Sequence, residues 1–255
     1  MPFLLQDNWP LQVPKIDQMK NIQDVKTELA QLADAKKAAV LPKFFQVYPG
    51  GYGEGDKFIG VSVPNQRMVA KNYFKDLTVQ KIEMLLNEPI HEHRLAALFM
   101  LVLKYQKSKD EQMKAEIVST YIANLNHVNN WDLVDSSAHL ILGQHLLNRE
   151  RSIIYEFAKS SSIWVQRVAV ISTYQFIRKG QFDDTLRVSE MLLNHKQDLI
   201  HKAVGWMLRE VGNRNFQIEF EFLANHYKKM PRTMLRYAIE KFPEELRQKF
   251  IKGLI

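Results

Sequence analysis

A repeat of roughly 35 residues constrains the fold of this chain more than any other feature of its sequence. A basic residue followed within two positions by alanine marks each copy, and the four basic positions are separated by 73, 35 and 34 residues. The marks are Arg94/Ala96, Arg167/Ala169, Lys202/Ala203 and Arg236/Ala238. The first interval is about two periods, so one copy lacks its mark. Helix pairs that repeat at this period bury their apolar faces on one another, and the sequence therefore predicts an all-α solenoid.

Apolar residues recur at helical spacing along most of the chain, which supports this prediction. Examples are residues 92–105, 164–177 and 202–211. Short polar or Pro/Gly-containing breaks separate roughly a dozen predicted helices, and such short links favour antiparallel neighbours. We predict one domain over residues 1–255, with residues 1–15, which contain Pro10 and Pro14, as a candidate extended arm.

Composition indicates a folded protein with a basic surface. The 255 residues are 46% hydrophobic, enough to bury a large core, and the net charge of +7 favours polyanions such as nucleic acid or an anionic membrane face. Cysteine is absent, which excludes disulfides and cysteine nucleophiles and fits a reducing cytosol. The chain has no apolar run of about 20 residues and its first residues lack the basic start of a signal peptide, so we predict a cytoplasmic protein.

The copy without a basic mark falls at residues 129–138, which read NNWDLVDSSA. Acid replaces base there, and such local departures from a pattern often coincide with function. Trp131 and Asp135 are four positions apart, so on a helix an indole and a carboxylate share one face. Asp132 lies close to the asparagine cap, where we expect its charge to stabilise the helix start. Asp135 lies too deep in the helix to cap it, and we interpret it as a functional carboxylate, with a solvated surface position as the alternative.

Four motifs in the same order resemble those of the DNA alkylation repair family of HEAT-like-repeat glycosylases, the AlkD-like family. They are GEGDKFIGVSVP (53–64), NNWDLVDSSA (129–138), DLIHKAVGWMLREVG (198–212) and MPRTMLRYAIEKFP (230–243). The resemblance implies a right-handed superhelix of HEAT-like repeats whose basic concave face binds duplex DNA. It also implies a monomeric glycosylase of the bacterial cytosol that hydrolyses the N-glycosidic bond of cationic N3- and N7-alkylpurines. Neither a metal nor a cofactor is implied, and the base is not flipped into a pocket.

The resemblance also implies roles for particular residues. Asp135 is expected to stabilise the sugar cation, and Trp131 and Trp206 are expected to pack on the DNA backbone around the lesion. Trp164 is expected in the core, because aromatic residues at helical spacing usually are. The basic residues expected to contact DNA are Arg167, Lys202, Arg209, Arg232, Arg236, Lys43 and Arg94.

The sequence departs from the family pattern at two places. Phe44 and Phe45 stand where some catalytic members carry a tyrosine, and Gln166 stands where relatives often carry a basic residue. Two alternative functions therefore remain open: a non-catalytic protein that binds damaged or branched DNA, and a scaffold that binds proteins. The joint presence of the two tryptophans, the aspartate and the arginine favours the glycosylase.

Three further signals are interpreted without a catalytic role. Residues 48–55 hold four of the ten glycines but lack the Lys-Ser/Thr of a phosphate-binding loop, so a turn-rich loop is predicted. His91 and His93 are two positions apart and point to different faces of a helix, which disfavours a metal site. Ser136 and His139 lie near Asp135 without the strand-turn-helix elbow of a hydrolase triad.

Overall fold

The computed structural model describes residues 20–255, and these residues are helical without any strand; a single bridge joins Lys57 to Ile90. The predicted arm of residues 1–15 lies outside the described part, and the single domain over residues 1–255 stays a prediction. The α-helices are α1 (Ile22–Gln31), α2 (Ala35–Phe44), α3 (Val63–Tyr73), α4 (Val79–Leu86), α5 (His91–Lys107), α6 (Glu111–Ala123), α7 (Trp131–Asp135), α8 (Gln144–Leu146), α9 (Ser152–Ala158), α10 (Ile163–Ser172), α11 (Tyr174–Ile177), α12 (Asp183–Met191), α13 (Asp198–Gly212), α14 (Phe216–His226), α15 (Arg232–Ala238) and α16 (Glu244–Lys252). The predicted all-α class is confirmed.

Several helices begin where the sequence supplies a cap. Asn21 accepts hydrogen bonds from the backbone of residues 23 and 24 and forms a capping box with Asp24 at the start of α1. Pro231 and Pro243 directly precede α15 and α16, where a residue without a free N–H starts a helix at no cost. Other side chains that cap a helix are Asp34, Thr78, Asp110 and Asn215. Local chemistry therefore sets many of the helix starts.

The helices form two layers, as expected for an α-solenoid. In one layer α1, α3, α5, α7, α10, α13 and α15 contact one another in that order. The marks of the repeat, Arg94, Arg167, Lys202 and Arg236, lie on α5, α10, α13 and α15, and the copy without a basic mark is α7. The other layer contains α4, α6, a π-helix (His139–Gly143), α11 and α12, which also contact one another in that order. The solenoid prediction is confirmed, and α7 occupies the place that the repeat assigns to it.

The core is one continuous hydrophobic cluster that extends from Val25 to Phe250. Helix α5 lies deep within it, and residues 91–102 are all buried. Its first turn nevertheless carries ionisable side chains, and buried charges require partners. Glu92 finds them in the backbone N–H groups of Ile59 and Gly60, at 3.1 and 2.7 Å. Across residues 20–255, none of the helices has the length and apolar character needed to cross a membrane.

Helices α13 and α15 approach each other closely at Gly205. A Cβ atom at this position would lie 2.4 Å from the carbonyl oxygen of Met234 and 2.5 Å from Cβ of Tyr237. We therefore expect Gly205→Ala to force the two helices apart and to lower the free energy of unfolding by about 1–3 kcal/mol in chemical denaturation. The control is Gln112→Ala at an exposed position of α6, which should change stability by less than about 0.5 kcal/mol. Parent-like stability of Gly205→Ala would contradict this contact.

Candidate nucleic-acid interface and catalytic site

Helix α7 is short and begins at a buried cap. Asn130 is fully buried in an extended conformation, and its side-chain oxygen accepts a hydrogen bond from the backbone N–H of Trp131 at 2.9 Å. One turn further on, Asp135 ends the helix. Trp131 and Asp135 line the same pocket, so the shared face predicted from their spacing is present.

The Asp135 carboxylate forms a bidentate ion pair with Arg167 of α10. Nε and Nη2 of the guanidinium donate to the two carboxylate oxygens, each at 2.8 Å, and Nη1 donates to the carbonyl of Leu199 on α13. Burial raises the pKa of Asp135, whereas the hydrogen bonds from Arg167 oppose this rise by favouring the ionised form. Arg167 is itself 5% exposed. The phosphate contact expected of Arg167 is therefore replaced in this conformation by a contact to the candidate catalytic carboxylate.

Two recesses meet at Trp131 and the neighbouring Phe44, which line both. The first, the basic cleft, has a volume of about 300 Å³. Its other principal side chains are Tyr52, Arg167, Lys202, Trp206, Arg209 and Tyr237. The second, the apolar pocket, has a volume of about 420 Å³, and Asp132 and Asp135 lie among its otherwise mostly apolar walls. The two tryptophans expected at the lesion are thus brought to one cleft, and the Asp135 carboxylate lines the adjoining apolar pocket.

The predicted DNA-contacting residues fall into distinct environments. Lys202 lies in the basic cleft and pairs with Asp198 at 2.6 Å, and Arg209 pairs with Glu240. Arg232 is exposed and donates to the carbonyl of Ile251 at 3.0 Å. Within residues 20–255, three of the predicted contacts are exposed and form no ion pair. These are Lys43, Arg232 and Arg236.

Arg94 is buried and paired in this structure, and its contact with DNA stays a prediction that this environment disfavours. The side chain is 5% exposed and forms an ion pair with Asp56, which is itself buried. A basic residue at a repeat mark is indistinguishable by type from a surface one. Here the turn after the glycine-rich loop covers it and supplies the compensating carboxylate.

Trp206 and Trp164 occupy half-buried positions. Trp206 donates its indole N–H to Glu210 at 3.2 Å, and its ring lies 6.1 Å from that of Tyr174. Trp164 packs against the hydrophobic core, as predicted, but it is only partly buried. Its ring meets Tyr52 edge-on at 6.0 Å. Trp164 therefore also supports a wall of the basic cleft.

Several residues at the site were missed or undervalued in the sequence. Phe44 is 62% exposed and meets Trp131 edge-on at 6.0 Å, while Phe45 stacks on the same indole at 5.6 Å. The glycine-rich segment is turn-rich, as predicted, and it also brings Tyr52 into the cleft, with its hydroxyl donating to the Phe44 carbonyl at 3.1 Å. A Cβ atom at Gly53 would lie 2.2 Å from the Phe45 carbonyl oxygen. Close backbone packing therefore requires a glycine at position 53.

His91 has a role that its sequence pattern did not suggest. Its Nδ1 lies 2.9 Å from Asp56 and its Nε2 lies 2.8 Å from Asp132. Burial lowers the pKa of His91, but the two carboxylates outweigh this effect and raise it to about 9. Asp132 also accepts a hydrogen bond from the backbone N–H of Leu133 at 2.9 Å, consistent with the expected contribution at the helix start. Its second oxygen, however, is committed to the histidine.

The fold and this site define an all-α solenoid protein with a basic, aromatic cleft and a paired carboxylate in one helix layer. The sequence model of a protein family described as DNA alkylation repair enzyme matches residues 25–242. Because this match covers most of the chain, the protein belongs to that family, which places it in DNA alkylation repair. No curated protein matches the sequence.

A solved structure is similar to this one. It is a protein of Enterococcus faecalis described as a predicted DNA alkylation repair enzyme, with a TM-score of 0.66 and 18% sequence identity. The similarity covers 83% of this chain and 97% of the other. At this level of identity the comparison establishes a shared fold, in agreement with the helix layers described above.

The pKa of His91 predicts a pH dependence of stability. The value is near 6.5 in the unfolded chain and about 9 in the folded protein, so this stabilisation is complete below about pH 6.5 and is lost as the pH rises through 9. The loss is on the order of 3 kcal/mol, at about 1.4 kcal/mol for each pKa unit. We expect urea unfolding of the parent to show this decline between pH 6.5 and 9.5.

Asp132→Asn provides the comparison, because it removes one of the two carboxylates that raise the pKa of His91. Its stability should depend less on pH over the same interval. Glu219, whose pKa burial raises to about 8, is present in both proteins and cancels in the difference. Identical pH dependence of the two proteins would show that Asp132 does not hold the proton on His91.

Proposed function

We propose that this protein is a monomeric DNA glycosylase that hydrolyses the N-glycosidic bond of cationic N3- and N7-alkylpurines in duplex DNA. The observation that carries the proposal is the position of Asp135. This carboxylate lines the apolar pocket together with Trp131, which also lines the basic cleft, and Arg167 of the cleft holds both of its oxygens. Family membership supports the alkylated substrate. That the base stays unflipped rests on the resemblance to the AlkD-like family alone.

The basic cleft is suited to the backbone of DNA. Lys202 and Arg209 supply positive charge, and their partners Asp198 and Glu240 are about half exposed, so phosphate can compete for the two cations. Trp131 and Trp206 supply flat apolar surface that packs on deoxyribose. Such contacts position the duplex without reading its sequence, which suits an enzyme that must act at any alkylated purine.

The chemistry follows from the charge of the lesion. A purine alkylated at N3 or N7 is already cationic, so the bond electrons that leave with it produce a neutral base without prior protonation. Positive charge then develops on the sugar, and water attacks C1′ and releases a proton to solvent. Ionised Asp135 stabilises this oxocarbenium-like state and orients the water, which is the role that carboxylates play in glycoside hydrolysis.

Arg167 determines whether Asp135 can act in this way. A buried carboxylate without a cationic partner would bind a proton and lose the charge that the reaction requires. The guanidinium favours the ionised form and fixes the direction of both oxygens. The pair also leaves lone pairs on each oxygen free to accept a hydrogen bond from water.

Single-turnover incubation with duplex DNA containing N7-methylguanine, followed by alkaline cleavage at abasic sites, tests the proposal. Strand cleavage above the spontaneous rate is expected. Duplex DNA containing uracil is the matched substrate control. Uracil is an uncharged base that would have to leave as an anion, so this DNA should remain intact. Tight duplex binding without base release would instead support the non-catalytic DNA-binding alternative.

Binding to undamaged duplex should weaken steeply with salt. About five phosphates would be neutralised by Lys43, Lys202, Arg209, Arg232 and Arg236. A plot of the logarithm of the association constant against the logarithm of the salt concentration should then have a slope of about −4 to −5. Anisotropy titrations with a labelled duplex measure this slope. Lys43→Gln should reduce its magnitude by about one.

Lys109→Gln provides a matched control for the salt titration, since Lys109 is an exposed lysine in the link between α5 and α6 and lies outside the basic cleft. It should leave the slope unchanged. An affinity that does not vary with salt would contradict a DNA-binding role for the cleft.

Asp135→Asn should reduce base release by about two to three orders of magnitude, since it removes the charge and keeps the shape. Affinity for undamaged duplex should stay constant or rise slightly. In the parent, the rate should fall on acidification at a pH above the ordinary aspartate range, because burial raises the pKa of Asp135 and only the ionised form is active. Rates come from single-turnover release of N7-methylguanine between pH 4.5 and 8.

The control for Asp135→Asn is Asp184→Asn, because Asp184 on α12 is a partly buried carboxylate that pairs at 2.6 Å with Arg151, the residue before α9. Asp184→Asn should lower stability and leave the rate of the folded protein intact. Parent-like release by Asp135→Asn would exclude this carboxylate as the catalytic group.

A further inference from the structure

A buried ionic cluster lies behind helix α7 and is not used by the chemistry described above. Its centre is His91, which is 2% exposed and lies between Asp56 and Asp132 at 2.9 and 2.8 Å. Ionised carboxylates only accept hydrogen bonds, so both imidazole nitrogens must carry protons for both contacts to form. The geometry therefore calls for an imidazolium ion.

The cluster reaches the first turn of α7 through its cap as well. The amide of Asn130 donates to Asp56 at 3.2 Å, and its oxygen accepts from the Trp131 N–H at 2.9 Å. Asp56 therefore bonds to the cap residue of α7, and His91 bonds to both Asp56 and Asp132. Two hydrogen-bonded routes connect His91 to the backbone that carries Trp131.

A third route runs through aromatic rings. The His91 ring stacks on Phe58 at 4.7 Å and lies 5.1 Å from Phe45. Phe45 in turn stacks on the Trp131 indole at 5.6 Å. A cation against aromatic faces in a buried place is favourable, so a charged His91 strengthens this stack.

Helix α7 depends on such contacts because it is short. Its five residues, Trp131–Asp135, are too few for a helix that is stable by itself. The direction of its side chains is therefore set by what surrounds it. On the Asp135 side this is Arg167, and on the Trp131 side it is the cluster around His91.

We propose that His91, as a cation shared by Asp56 and Asp132, is a positioning residue that holds Trp131 and Asp135 in the geometry required for base release. The inference rests on the proposed glycosylase function for its effect on rate. In this role His91 does not itself contact the DNA or the reacting atoms. It acts through Asn130, Asp132 and Phe45.

Loss of the proton from His91 would unbalance the cluster. The charged groups that face it are Asp56 from the loop and Asp132 from α7, and Arg94 pairs with Asp56 from the same helix as His91. A neutral imidazole has one N–H and can donate to only one of the carboxylates. Asp56 also pairs with Arg94, so its charge remains compensated when His91 is neutral. Loss of the proton therefore affects the contact between His91 and Asp132 most.

The first experiment measures single-turnover release of N7-methylguanine by the parent, His91→Gln and the control His145→Gln between pH 7 and 10. His145 is a half-buried histidine on α8 whose ring lies beside Tyr105. In the parent the rate should fall with a midpoint near 9, which is the pKa of His91. His91→Gln should be slower at pH 7 by about ten- to a hundredfold and lack this alkaline decline, since small misplacements of a catalytic group have effects of this size.

Duplex affinity should change by less than about threefold, so that the loss falls on the rate and not on binding. A role limited to stability would lower the folded fraction without altering the pH profile of the folded protein. An unchanged pH 7 rate in folded His91→Gln, or an alkaline decline that persists in it, would overturn the proposal.

The second experiment needs neither DNA nor catalysis. The indole N–H signal of Trp131, assigned by its loss in Trp131→Phe, is followed by NMR from pH 7 to 10 in the parent. It should shift with the midpoint of His91, whereas the signal of Trp164 should stay constant. A Trp131 signal whose chemical shift does not change over this pH range would overturn the positioning role.

The two experiments separate the failure of this inference from that of the proposed function. If the parent releases no alkylated base, the glycosylase proposal fails, and the NMR titration still decides whether His91 positions α7. If the parent releases base but the Trp131 signal does not respond, the glycosylase stands and the positioning role fails. Because the titration uses the parent, it holds even if His91→Gln does not fold.

Discussion

The ion pair between Asp135 and Arg167 is the interaction on which the rest of the site depends. It joins α7 to α10, and the arginine also reaches the Leu199 carbonyl on α13, so one guanidinium connects three neighbouring helices of the same layer. Removing either partner would leave an uncompensated charge in a nearly closed place, which costs far more than loss of a surface ion pair. The packing of successive helices in the solenoid therefore fixes the position of the Asp135 carboxylate.

Sequence periodicity predicted the parts of the structure that local rules determine. The repeat placed Arg167, Lys202 and Arg236 on successive contacting helices, and the four-residue spacing placed Trp131 and Asp135 on one pocket. Both features depend on residues within one helix or on a regular translation between helices. Both features can be predicted without knowledge of the loops, because the helix layer repeats the same packing.

The sequence could not predict which charges would meet. Arg94 looked like the other repeat marks, but Asp56, 38 positions earlier, removes it from the surface. Asp132 was expected to act within its own helix, and it does bond to the Leu133 N–H, yet its second oxygen meets a histidine 41 positions away. The faces of an H-x-H pair follow from helical geometry, whereas the carboxylates that surround His91 come from a loop and from another helix.

These partnerships give the site a particular electrostatic balance. Asp132 and Asp135 both line the apolar pocket, and each is compensated by one buried cation, His91 or Arg167, so the pocket contains fixed but nearly neutral dipoles before DNA arrives. In the proposed reaction, Arg167 keeps Asp135 ionised and holds its two oxygens in place. The negative charge that the developing sugar cation requires is then already present in the free protein, so no reorganisation of the carboxylate is needed at the moment of reaction.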